Sequence, residues 1–109
     1  MPTVLPHIAG FIIVRPSDQT EAAFQAEITA GCKALAAVTL GATVIRGQGY
    51  WGPTGQFEDN AIIYANTDQD HLGQAKAAAR AFVVAWGETF HQQAVALIGD
   101  GLALTIIDL

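Results

Sequence analysis

Cationic side chains are few in this sequence: Arg15, Lys33, Arg46, Lys76 and Arg80 stand against ten Asp and Glu residues, for a net charge of −5. Phosphate backbones are gripped by clustered Lys and Arg, so nucleic acid is a poor partner, whereas a cationic small molecule is favoured. Cysteine is almost absent. The lone Cys32 excludes an internal disulfide framework and a multi-cysteine zinc site, and its place on the apolar stripe of a predicted helix makes it a packed thiol. The three histidines, His7, His71 and His91, fall on a terminus, a helix start and a loop without ligand spacing, so no metal site is expected. Long apolar runs are lacking too, since Ala77 to Trp86 is broken by Arg80 and followed by Gly87 and Glu88, short of the ~20 residues of a membrane span. Met1 to His7 has no basic region ahead of an apolar stretch, so no secretion signal is expected and the cytoplasm is the expected compartment. Charged residues make up only 14% of the chain, against about 25% in an ordinary soluble domain. Part of the surface is therefore expected to be covered.

What is present is a βαββαβ pattern in one domain over 1–109, with 1–7 as an N-terminal extension. Ile8 to Val14 is a β-branched run ending at Arg15-Pro16, the mark of a strand buried on both faces. Asp18 and Glu21 have capping-box spacing, and Phe24, Ile28, Cys32 and Leu35 then form one helical stripe ending near Ala37. Val38 to Trp51 and Phe57 to Asn66 are extended stretches flanking the turn residues Gly52 to Gln56. Asp68 or Asp70 opens a second helix carrying Leu72, Ala75, Ala79, Phe82 or Val83, and Trp86, with Gly87 as its terminator. Gln93 to Ile98, Gly99-Asp100-Gly101 and Leu102 to Ile107 read as a closing hairpin.

The fold class expected is α+β, a ferredoxin-like antiparallel sandwich with an extra C-terminal strand and both helices on one sheet face. The first strand has Phe11 and Ile13 on one side and Ile12 and Val14 on the other, so whichever pair points away from the helices leaves the open face apolar. An open face of that composition calls for other copies of the chain, with a homotrimer expected ahead of a dimer.

Polar residues concentrate in the central hairpin. If Trp51 pairs with Phe57 across the turn, Tyr50 lies opposite Glu58 and Gln48 opposite Asn60, so that all four share one face while Gly47 and Gly49 leave room on the other. Such a face suits a binding site, and it equally suits plain solvation.

At this hairpin the sequence resembles the phage-encoded S-adenosylmethionine (SAM) lyases, formerly called SAM hydrolases. The resemblance is carried by Gly49-Tyr50 ending one strand, Glu58-x-Asn60 leading into the apolar strand Ala61 to Tyr64, an alanine-rich helix, and Gln92-Gln93-Ala94-Val95-Ala96-Leu97. It implies that Glu58 and Tyr50 are catalytic, and that Gln48, Asn60, Trp51, Phe57 and Gln92 bind substrate. It also implies sites between subunits, a host-cell cytoplasmic setting, and SAM as substrate with no cofactor. In the implied reaction the substrate's own carboxylate displaces methylthioadenosine to close homoserine lactone. Two other classes fit the same residues: a non-catalytic oligomeric nucleotide-binding module of this fold, and a structural protein whose hairpin is merely solvated.

Overall fold

The computed structural model describes residues 2–109. Eight segments follow in order: β1 (His7–Val14), α1 (Glu21–Ala36), β2 (Thr43–Trp51), β3 (Gln56–Thr67), α2 (Gln69–Thr89), β4 (Ala94–Ile98), a 3-10 turn (Asp100–Leu102) and β5 (Leu104–Asp108). The strands form one antiparallel sheet in the order β2-β3-β1-β4-β5. This is the ferredoxin-like sandwich expected, with β5 added beside β4.

Alternation along β1 decides which face each side chain takes. Ala9, Phe11 and Ile13 are buried under the helices, whereas Ile12 and Val14 point to the open side and are only partly covered. The core joins Phe11 and Ile13 to Phe24, Ile28 and Leu35 of α1, Ile63 of β3, and Val83 and Trp86 of α2. Each of these large side chains contributes about 1.5–3 kcal/mol on burial. Gly31, not Cys32, completes the α1 stripe, because the Phe11 ring occupies the space a side chain at Gly31 would need. Cys32 lies half-buried beside the stripe, and that burial pushes its thiol pKa up.

Helix and strand limits depart from the sequence expectation for local reasons. Thr20 caps α1 in place of Asp18, its side chain accepting from the Ala23 N–H at 3.1 Å. The cap is delayed because a turn closed by the Gln19 N–H on the Pro16 carbonyl at 3.0 Å occupies the intervening residues. After α1, the Thr39 hydroxyl donates to the Leu35 carbonyl at 2.7 Å, holding a turn that postpones β2 to Thr43. Asp68 caps α2, accepting from the His71 N–H at 2.9 Å. That helix does not stop at Gly87 but runs through it to Thr89, and Gly87 is buried where a Cβ would stand 2.5 Å from Val95 Cγ1 and 2.6 Å from Leu109 Cδ1. β1 starts at His7, one residue earlier than expected, because Asp100 accepts from the Ile8 N–H and pairs with the His7 ring, both at 2.7 Å.

On the open face, strand pairing lines up Ile45, Ile62, Ile12, Ala96 and Ile106 in a single row across all five strands. Ile45 is 49% exposed and Ile106 60%. Among the described residues no helix is long and apolar enough to cross a membrane.

Candidate functional site

The hairpin register differs by one residue from the expected pairing. Trp51 pairs with Gln56, Tyr50 with Phe57, Gly49 with Glu58, Gln48 with Asp59 and Gly47 with Asn60. The cause is the turn: Gly55 adopts φ 66° and its N–H bonds the Trp51 carbonyl at 2.8 Å, closing a four-residue loop where five had been expected. Every partner assignment therefore moves. Arg46 lies opposite Ala61, a core residue, so Arg46, Gln48, Tyr50, Phe57 and Asp59 share the helix-side face. Trp51, Glu58 and Asn60 take the open face.

Two contacts fix this arrangement. The Tyr50 and Phe57 rings meet edge-on with centroids 5.0 Å apart, and Gln48 Nε2 donates to Asp59 Oδ1 at 3.4 Å. On the open side the Asn60 amide lies across the glycines, 3.3 Å from where a Gly47 Cβ would stand and 3.2 Å from one on Gly49. The room that Gly47 and Gly49 leave is thus used by Asn60 itself.

A cleft opens where β1 stops and β3 does not. Pro16 cannot donate a ladder hydrogen bond, and after the Arg15 N–H reaches the Asp59 carbonyl at 2.8 Å the chain turns away toward α1. Gln56 to Glu58 then pair only with β2, leaving one side of their main chain without a strand. The resulting cleft has a volume of about 410 Å³; Val14 to Ser17 form one wall, Gln56 to Asp59 another, and Gln92 closes the end. That volume lies within the about 300–1,000 Å³ of small-molecule sites. Gln92 is held by its N–H on the Gly87 carbonyl at 2.8 Å and by its side chain on the Phe90 carbonyl at 3.3 Å. A second hollow, about 490 Å³, lies at the opposite end of β1 under Lys76 and Arg80 and contains none of the expected residues.

Of the residues singled out in the sequence, Glu58, Phe57 and Gln92 line the first cleft, whereas Tyr50, Gln48, Asn60 and Trp51 do not. Glu58 and Tyr50 do not meet within one chain. Arg15, Ser17, Gln56 and Asp59 join the cleft unannounced. The signal for them was a proline ending one strand while its partner strand continued.

Charge behind the cleft is organised around α1. Arg15 Nε donates to the Gln19 carbonyl at 2.9 Å, and its Nη1 lies 3.4 Å from Glu21 Oε2 and 3.6 Å from Asp59 Oδ2. Glu21 is clasped by Arg46 through contacts of 2.6 and 3.2 Å. The Arg46 hydrogen bond holds the Glu21 carboxyl below the usual range, and Glu21 in turn raises the pKa of Arg46. Arg46 also lies over the Phe24 ring, 5.0 Å from its centroid. Among the described residues no three His, Cys, Asp or Glu side chains are grouped to hold a metal ion.

Two solved structures share this architecture. A phage SAM lyase in its apo state superposes with a TM-score of 0.59 at 13% identity, over 94% of this chain and 89% of its own. A phage SAM lyase in complex with S-methyl-5'-thioadenosine gives a TM-score of 0.50 at 14% identity, over 100% and 95%. The fold is that of a phage SAM lyase. No protein-family model and no curated protein matches the sequence. The backbone likeness reaches back through β1 and α1, beyond the second half of the chain where the sequence resemblance lies.

Proposed function

We propose that the chain is a SAM lyase. The observation that carries this reading is that the cleft gathers Glu58 and Gln92, from two separate parts of the sequence resemblance, together with Phe57, around a stretch of strand with unpaired main chain. In the reaction a carboxylate oxygen of the substrate attacks its own γ-carbon, the Cγ–S bond breaks, and its electron pair passes to sulfur. Methylthioadenosine leaves neutral, and homoserine lactone keeps the ammonium group. Neither a protein nucleophile nor a cofactor enters the balance.

The protein's share is enclosure and charge. Folding the methionyl tail into attack geometry replaces a rare encounter by a held one, and the Glu58 carboxylate supplies negative potential to the cationic substrate. Phe57 offers a ring for the adenine, and Gln92 a side-chain amide at the end of the cleft.

Tyr50 lies on the other face of the hairpin from Glu58 and does not line the cleft, and in this reading the two are drawn from different copies of the chain. The apolar row on the open face supports assembly, and three aromatic side chains stand out on the hairpin: Tyr50 is 62% exposed, Trp51 55% and Phe57 69%. A homotrimer is the assembly proposed, with Tyr50, Trp51, Gln48 and Asn60 of one copy completing the cleft of the next.

Incubation with SAM followed by chromatography tests the reading. Methylthioadenosine should accumulate in proportion to protein. SAM recovered intact after prolonged incubation would defeat the lyase, and measurable binding without turnover would leave a binding module in its place.

A further inference from the structure

The cleft contains one cation, and the proposed reaction does not use it. Arg15 stands beside one carboxylate of the cleft, its Nη1 3.6 Å from Asp59 Oδ2, and the other, Glu58, lines the same cavity. Its guanidinium is held from behind by the Gln19 carbonyl on Nε and by Glu21 and Asp59 on Nη1, while Nη2 makes no hydrogen bond among the described residues. Glu21 makes its shorter contacts with Arg46, and its 3.4 Å contact with Arg15 is to Nη1, which leaves Nη2 for a ligand. A guanidinium fixed in this way presents a preorganised donor to a planar anion.

We propose that Arg15 determines specificity by receiving the α-carboxylate of an amino-acid substrate, with Glu58 taking its ammonium group. An α-amino acid is a zwitterion, and this cavity offers it a guanidinium, with Asp59 on Nη1 and Nη2 open, and the exposed carboxylate of Glu58. The inference rests on the lyase reading for the identity of that substrate as SAM. It adds that the cleft recognises the amino-acid end and not the adenosine end alone. One carboxylate oxygen bound to Nη2 leaves the other directed at the γ-carbon, so Arg15 would orient the attacking group as well as select it.

Ligands that carry or lack the carboxylate provide the test. KM and kcat for SAM are measured with wild type and Arg15→Gln, alongside dissociation constants for methylthioadenosine, decarboxylated SAM and S-methyl-L-methionine. Wild type should bind decarboxylated SAM at least about tenfold more weakly than SAM, the loss of one charge-assisted contact. Arg15→Gln should raise KM for SAM by about tenfold or more and leave methylthioadenosine binding within about twofold. Arg15→Lys keeps the charge without the fork and should fall between the two, which covers the case of a poorly folded Arg15→Gln. Unchanged SAM kinetics in these variants, or equal weakening of SAM and methylthioadenosine, would overturn the role of Arg15 and leave the lyase standing. Arg15-dependent binding of S-methyl-L-methionine by a protein that ignores SAM would do the reverse. Binding of none of the four ligands would sink both.

Discussion

Tyr50 and Glu58, on adjoining strands of one hairpin, point to opposite faces of the sheet. The turn at Gly55 enforces this, since a shift of one residue moves a whole strand's side chains from face to face. Tyr50 does not line the cleft that holds Glu58, and the proposed lyase site takes the two residues from different copies.

Subunit complementation follows from that geometry. Tyr50→Ala and Glu58→Gln should each be nearly inactive alone. Mixed, unfolded and refolded together, they should regain activity, because random assembly gives about a quarter of the sites both native residues. Activity of the mixture equal to the mean of the separate variants would place the two roles in one chain, or remove one of them.

The apolar row predicts what holds the copies together. Ile62 sits between Ile45 and Ile12 on the open face, where a lysine would leave an ammonium group with no partner. Ile62→Lys should leave the far-ultraviolet circular dichroism intact and shift sedimentation from oligomer to monomer, with loss of any turnover. A wild type that sediments as a stable monomer at micromolar concentration would count against this.

How much was legible in the sequence depended on the range of the forces involved. The β-branched run at Ile8 to Val14, the stripe from Phe24 to Leu35 and an acidic cap for α2, at Asp68 or Asp70, declare themselves through periodicity and local hydrogen bonding, and the order of elements follows. The site was less readable. Its register hung on the conformation of Gly55, since any of several glycine-containing loops would join the same two strands. The cleft arises from a relation between distant segments, β1 stopping at Pro16 while β3 continues, which no local pattern encodes. Gly87 misled for a related reason: it serves the packing of Val95 and Leu109, not the end of its own helix.

Packing at that glycine can be tested directly. Gly87→Ala gains helix propensity, up to about 1 kcal/mol, but its methyl group would meet Val95 and Leu109 at 2.5 and 2.6 Å. Overpacking costs about 1–3 kcal/mol, so the variant should be destabilised by about 1 kcal/mol in urea unfolding. A stabilised Gly87→Ala would mean that Leu109 moves aside freely.

Acid should loosen the start of β1. The His7 hydrogen bond, and then the Ile8 N–H, hold the Asp100 carboxyl below its usual range. A depressed folded-state pKa adds stability above the unfolded value of about 3.9 and forfeits it as pH falls through the lower folded value. Wild type should therefore lose stability below about pH 4 more steeply than Asp100→Asn, in melting followed from pH 7 to pH 2. The Asp68 carboxyl, lowered chiefly by its hydrogen bond to the His71 side chain, acts in the same direction. Parallel pH profiles for wild type and Asp100→Asn would show that the contact contributes nothing.

Glu58→Gln is the most direct probe of the chemistry. The substitution keeps the shape and hydrogen-bonding capacity of the side chain and removes only its charge. Glu58 is exposed at the cleft and among the described residues pairs with no cation, so neither fold nor assembly should change. A charge-assisted contact that strengthens in the transition state is commonly worth a few kcal/mol, and SAM turnover should fall by about a hundredfold or more. Asp59 cannot serve as the neutral control, because its carboxylate holds Arg15 at the cleft. Glu88, exposed on α2 and not part of the cleft lining, can: Glu88→Gln should turn over SAM as wild type does. Full activity in Glu58→Gln, with folding and assembly intact, would remove Glu58 from the mechanism and the resemblance-based assignment with it.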